Sequence, residues 1–500
     1  MLRHIVLPLS LLLGTALPAG AMELKVMSFN IWYGGEQVSL DIVAEAIVAA
    51  DADIVGVQET DGNLARLSAM TGLAYYDVRR NILSRFPIFD PKLGERTAEG
   101  AGPYSMPPLD PDAVHALVMV APGKVVAVAN THLTSNPYGP ETIREGGDLA
   151  AALQVEAETR MPEAQLLADG LKPVIATGMP VFLTGDFNSP SHLDWTEAAV
   201  GKLAQVKFAV DWPVSRLLAD IGLSDSYRVV NPDALAIPGL TWTAGSPAPV
   251  VKDGETLDRI DWVLSANATP TASTVVGEVG GPDVGVGVSP WPSDHRAVVS
   301  SFEVEPADAP AMIAVEPVRV STDGEFRIRA HMPGWGNWTG MVVPRGGAVD
   351  EAIIGIADVP LYDRPTIKLA GRMLTPGAYD AVLTTPEGEE RARTQFTVVA
   401  AGAMPTLTIG KASYGVGEPV TVNWTAAQGE RFEWLGVYAK GEPNVYNYWG
   451  YTYTAGRVQG STVIGPELFG EPLPAGEYEI RLMRDDHYVS VAEVSFTVAD

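Results

Sequence analysis

From residue 22 to about 305, two apolar patterns take turns along the chain. Residues 24–29, 54–57, 82–88, 113–120, 125–129, 180–184, 260–264 and 297–304 are short apolar or alternating runs, and each predicts a strand. The pair 113–120 and 125–129 is joined by the turn Ala121-Pro122-Gly123-Lys124. Residues 40–50 and 64–70 carry apolar side chains at helical spacing, and 154–171 does so with an interruption at Pro162. Polar clusters follow the strands: Asn30 after the first, Gln58 and Glu59 after the second, His132 after 125–129, Asp186 and Asn188 after 180–184. Strand ends are where folds of mixed helix and strand build their sites.

Beyond residue 305 the helical period disappears and the chain repeats itself. Trp338-Thr339-Gly340-Met341-Val342 matches Trp434-Leu435-Gly436-Val437-Tyr438. Leu374-Thr375-Pro376-Gly377-Ala378-Tyr379 matches Leu473-Pro474-Ala475-Gly476-Glu477-Tyr478, and Phe396-Thr397-Val398 matches Phe496-Thr497-Val498. Two tandem all-β sandwich modules, 306–402 and 403–500, fit the size range of immunoglobulin-like domains. At the other end, Arg3, an apolar run over 5–13 and Ala19-Gly20-Ala21 read as a signal peptide cleaved after Ala21. The expectation is a periplasmic or secreted protein whose main domain spans 22–305.

Composition narrows the chemistry. The chain has no cysteine, which excludes disulfides, thiolate zinc sites and a cysteine nucleophile. Lys+Arg number 34 against 61 Asp+Glu, a formal charge of −27. So acidic a surface repels polyanions at long range and disfavours duplex DNA as a partner.

Five segments stand out together: Ser28-Phe29-Asn30-Ile31-Trp32, Val57-Gln58-Glu59-Thr60, Asn130-Thr131-His132-Leu133, Gly185-Asp186-Phe187-Asn188, and Arg259-Ile260-Asp261 with Ser293-Asp294-His295-Arg296. In order and spacing they resemble the endonuclease/exonuclease/phosphatase superfamily across residues 22–305. The resemblance implies the α+β class: a four-layer α/β sandwich of two packed mixed sheets flanked by helices, here followed by the two all-β modules. It also implies a divalent-metal-dependent phosphoester hydrolase. Tyr414 to Val422, with Glu433 to Tyr438, faintly resembles a sandwich domain attached to some phosphoinositide 5-phosphatases.

The chemistry gives those residues work. Phosphoester hydrolysis needs charge neutralisation, an aligned water and help for the leaving oxygen. Without cysteine, oxygen donors to a hard cation are the natural solution, with Mg2+ expected and Mn2+ or Ca2+ as alternatives. Glu59 reads as the primary ligand, assisted by Asn30 and Asp294. Asp186 orients or deprotonates water or shares a metal, and Asn188 donates to phosphate, although an Asx-rich turn explains both residue types as well. Asp261, between Ile260 and Trp262, is a carboxylate in a buried strand and needs a partner. His295 is that partner, and His132 is expected to stabilise the phosphoryl group. Whether His295 or Asp186 takes the water proton stays open.

His115 reads as a strand-face residue, and His192 with Asp194 as pocket lining or a helix start. Trp32, Trp195, Trp242 and Trp291 read as packing more readily than as stacking platforms. Arg79, Arg80 and Arg144 are candidates for a second anion contact, with solvated surface charge the plainer reading. The run Tyr446 to Tyr453 suits glycan or membrane contact, or the filling of a strand pair, and Asp485-Asp486-His487 a polar turn. The expected substrate is a small organic phosphate or phosphodiester. The alternatives are a phospholipid, nucleic acid, or an envelope-binding protein on an inactive fold. Lipid, glycan or envelope contact falls to the β-modules.

Overall fold

The computed structural model describes residues 20–89, 114–333, 339–356, 366–430, 432–469, 471–484 and 488–499. Nearly all of the export segment, residues 90–113 and Asp485-Asp486-His487 lie outside the described residues. In chain order the first part comprises β1 (Met22–Asn30), α1 (Leu40–Ala50), β2 (Ile54–Gln58), α2 (Leu64–Thr71), β3 (Tyr75–Asp77), β4 (Ile82–Ser84) and β5 (Ile88–Phe89). It continues with β6 (His115–Ala121), β7 (Lys124–His132), α3 (Gly139–Arg144), α4 (Leu149–Glu158), α5 (Arg160–Ala176), β8 (Val181–Asp186), α6 (Pro213–Asp220) and β9 (Ser224–Asp225). It closes with α7 (Ser226–Val230), β10 (Asp261–Ala266), β11 (Thr269–Glu278), β12 (Val284–Val288) and β13 (Ala297–Val304).

These strands form two mixed sheets. The first runs β12-β11-β13-β1-β2-β4-β3 and the second β5-β6-β7-β8-β10-β9. Side chains of a strand alternate between its faces, and here both faces are apolar. In β1, Leu24 and Val26 enter the core between the sheets, whereas Met27 and Phe29 face α1 and α2. In β8, Phe182 enters the inter-sheet core, and Val181 and Leu183 pack with Leu167, Leu171 and Leu218 of α5 and α6. The result is helix, sheet, sheet, helix: four layers, as the family likeness implied.

Local readings needed three corrections. Residues 82–88 are not one strand: β4 lies in the first sheet and β5 in the second, so the chain crosses between layers there. The helix expected over 154–171 breaks at Thr159 and not at Pro162, which sits in the first turn of α5, where proline is tolerated. β7 and β8 run on through His132 and Asp186, past the expected ends, because their parallel pairing continues to that residue pair.

The C-terminal part contains two units with the same strand order. In each, a three-stranded and a five-stranded sheet enclose one apolar core. Tyr379 and Tyr478 stand at matching places and donate to the carbonyls of Thr375 and Pro474, both at 2.8 Å. Both modules touch the first part. Arg79 donates to Gln395 O at 2.9 Å, Arg329 lies 5.0 Å over the Tyr75 ring, and Phe432 joins the core that holds Leu133 and Phe187. Among the described residues no helix is long and apolar enough to cross a membrane.

Candidate active site

Strand polarity assembles the site. β1 and β2 are parallel, as are β7 and β8, so each pair delivers its C-terminal residues to one end of its sheet. β10 is antiparallel to β8 and starts where β8 stops, which pairs Asp261 with Asp186. β13 is antiparallel to β1, so Ser293, Asp294 and His295 enter at the same end. By alternation Asn30, Asp186 and Asp261 share faces with Val26, Phe182 and Val263, so all three point between the sheets.

Three groups converge on Asp186 Oδ2: Asn30 Nδ2 at 3.0 Å, His132 Nε2 at 3.5 Å and His295 Nε2 at 3.6 Å. Its Oδ1 accepts from the Asn188 amide at 2.9 Å, which fixes the carboxylate plane. Behind His295, Asp261 Oδ2 meets Nδ1 at 3.0 Å. Thr241 Oγ1 accepts from the backbone amides of Ile260 and Asp261, and Ser293 Oγ bridges His295 N and Asn30 O. Asn188 and Glu59 both hold positive φ, 46° and 58°. Such backbone strain gathers at functional sites.

Below this layer lies a second, buried and polar. Asn130 Oδ1 accepts from Gln58 at 2.7 Å and from Thr184 at 3.0 Å, while Asn130 Nδ2 donates to the carbonyls of Val57, Arg80 and Asn81. Gly56 makes room for it: a Cβ there would lie 1.8 Å from Thr184 Oγ1. Gln58, Asn130, Thr184, Thr241 and Ser293 were given no role from sequence. Their signal was adjacency to the motifs, and what it could not convey was that their side chains meet across two sheets.

The metal-ligand expectation divides. Glu59 Oε1 accepts from Asn30 at 3.0 Å and Oε2 from Tyr33 N at 2.7 Å. Asp294 lies near enough that the charge of Glu59 raises its pKa. Burial, the main cause, pushes the Asp294 carboxyl up to about 6, against the opposing pull of His295. Among the described residues, Asp294 Oδ1 is a buried oxygen with no hydrogen-bond donor. An orphaned buried carboxylate oxygen beside a second carboxylate fits a hard cation. Asn30 is placed differently from the expectation. Its Oδ1 accepts from Trp32 N at 3.1 Å and its NH2 bridges Glu59 and Asp186, so it positions both carboxylates rather than offering them an oxygen neighbour.

A second grouping by spacing is Asp186, Asp261 and His295, whose donor atoms all lie within 4.8 Å. Within that grouping Asp261 and His295 are already joined by their hydrogen bond. Burial opposes the imidazolium, but Asp261 and Asp186 outweigh it and hold the His295 pKa well above the ordinary 6.5. This arrangement suits holding and moving a proton.

Other candidates sit elsewhere. Arg79 and Arg80 are buried, so the solvated-surface reading does not fit them; Arg79 lines a cavity away from Asp186, and Arg80 pairs with Asp77 at 2.5 Å. Arg144 is a surface partner of Glu141. Arg259 is wholly buried between Asp194 and Asp225, at 2.8 and 2.6 Å. His192 shares a hydrogen bond with Ser215 in a cavity lined by Leu193, Leu223 and Trp262. His115 is buried on β6. Trp195 donates to Asp258 and packs edge-on to Trp212, Trp242 packs on Tyr138, and Trp291 stacks on Phe29, so these three tryptophans are packing.

Residues 27–295 match the endonuclease/exonuclease/phosphatase family. An uncharacterized protein of Caenorhabditis elegans is 27% identical over 265 residues, 48% of this chain and 78% of that protein. Among solved structures, an endonuclease/exonuclease/phosphatase from Beutenbergia cavernae is 17% identical, covers 75% of this chain and 99% of its own, and has a TM-score of 0.34. Truncated Caenorhabditis elegans TDP2 is 20% identical, covers 56% of this chain and 98% of its own, and also has a TM-score of 0.34.

Proposed function

This chain belongs to the endonuclease/exonuclease/phosphatase family, and from that premise we propose that it hydrolyses phosphate esters with a divalent cation, Mg2+ by preference. The observation that carries the proposal is the convergence of Asn30, His132 and His295 on one oxygen of Asp186. Glu59 and Asp294 would hold the cation, which would supply Lewis-acid neutralisation of the phosphoryl oxygens. The chain's own residues do the rest. His295, kept as imidazolium by Asp261 and Asp186, donates to a phosphoryl oxygen, and His132 donates beside it. Asp186, beside His132 and His295, accepts the proton of the attacking water. Asn188 gives one amide hydrogen to Leu133 O at 2.9 Å and keeps a second for substrate.

The substrate is a small organic phosphate or phosphodiester. A charge of −27 weighs against duplex nucleic acid. The segment ending in Ala21 supports export to the periplasm or beyond. Turnover of bis(p-nitrophenyl) phosphate should vanish with chelator and return with Mg2+. Glu59→Gln should shift the Mg2+ titration to higher concentration. An unshifted titration removes Glu59 from the cation site.

A further inference from the structure

His132 faces two ways. One side reaches Asp186; the other lines a pocket of about 290 Å³ between the family domain and the second C-terminal module. The far wall of that pocket is Phe432, Trp434, Tyr448, Tyr451, Tyr453 and Tyr488. Trp434 is the hub. Tyr448, Tyr451 and Tyr488 meet it nearly edge-on, with centroids 5.5, 5.7 and 5.6 Å away and planes at 67°, 74° and 80°. Perpendicular packing of this kind presents both ring faces and ring edges to a pocket. The wall is anchored, because Phe432 is buried in the same core as Leu133, the residue next to His132.

The aromatic residues are not what the β-sheet requires. In the first module Gly340 pairs with Ile356, and in the second the matching Gly436 pairs with Tyr451. An aliphatic side chain therefore serves at the position of the first module that matches Tyr451. The floor of the pocket is polar. Thr134 and Asn136 line it beside Glu163, whose carboxylate accepts from Thr134 N and Oγ1 at 2.9 and 2.7 Å. An acyl chain placed there would take these polar groups out of water. A flat ring with a polar edge meets both surfaces.

We propose that this pocket is a subsite for a flat unsaturated ring attached to the scissile phosphate, and that the second C-terminal module thereby supplies half of the substrate site. The inference rests on the phosphoester reading above. A phosphate held by His295 and His132 would direct its ester group past His132 toward the tyrosines. Stacking of a ring on aromatic side chains adds about 1–3 kcal/mol per ring.

The test compares phenylphosphonate with methylphosphonate by titration calorimetry in the presence of Mg2+. The full chain should bind phenylphosphonate about 10-fold more tightly. Tyr451→Leu and Tyr448→Leu should abolish that preference and leave methylphosphonate unchanged, whereas Tyr451→Phe should keep it. Equal affinity of the two phosphonates for the unmodified chain overturns the subsite, and that comparison needs no variant to fold. A preference that survives both leucine variants also overturns it. Chelator-sensitive turnover of bis(p-nitrophenyl) phosphate is scored separately. If turnover is absent while the phenyl preference is present, the hydrolase reading fails and the subsite stands.

Discussion

Asp261 and His295 show how much one buried carboxylate determines. Asp261 is fully buried, and burial pushes its pKa up even though His295 pulls it down. Its hydrogen bond at 3.0 Å leaves Nε2 of His295 facing Asp186. Asp261→Asn should therefore lower kcat by about 100-fold or more with little change in KM, read from steady-state kinetics. Asp258 is a separate case. Burial pushes its carboxyl up from 3.8 to about 7, although Trp195 and Tyr138 donate to it. The folded chain then binds this proton more tightly than the unfolded one. Its contribution to stability is complete below pH 3.8 and is lost as pH rises to about 7. Asp258→Asn cannot titrate, so wild-type Tm should fall relative to the variant across that window and run parallel above it. Thermal melts along a pH series check this. At this scale the Asp261–His295 pair was legible, since a charged residue between Ile260 and Trp262 demands a partner. The orientation of Asn30 was not, because which end of an amide faces a carboxylate leaves no mark in sequence. The burial of Arg79 was hidden too, since its partner Gln395 O comes from a distant segment.

At the scale of elements, periodicity identified α1 and β13 with their observed ends, because both are bounded by strong pattern changes. It failed at 82–88, where an apolar run looks the same whether it stays in one sheet or crosses to another. Register also was invisible. The parallel pairing of β7 with β8 carries His132 and Asp186 to one level, and only tertiary contact fixes that. The polar layer beneath the site follows from the same register. Gly56→Ala would drive a methyl group into Thr184 and Asn130, whose nearest atoms lie 1.8 and 2.4 Å from the added carbon. Overpacking of this kind should cost about 1–3 kcal/mol, measured by urea denaturation. A neutral result would mean that the two sheets do not meet at Gly56.

Over the whole molecule, the repeat in the sequence anticipated two units of like strand order, but not that the second would reach the cleft. The aromatic run near Tyr451 read as glycan or membrane contact or as strand filling, because nothing local says which surface it meets. Phe432 in the shared core is what turns that run toward His132. The larger claim is that strands from two sheets deliver their end residues to Asp186 for phosphoester hydrolysis. The direct measurement is kcat/KM for bis(p-nitrophenyl) phosphate in excess Mg2+, for the unmodified chain and for Asp186→Asn, each shown folded by circular dichroism. The account predicts a loss of about 100-fold or more in the variant. Equal turnover by the two folded proteins would contradict it.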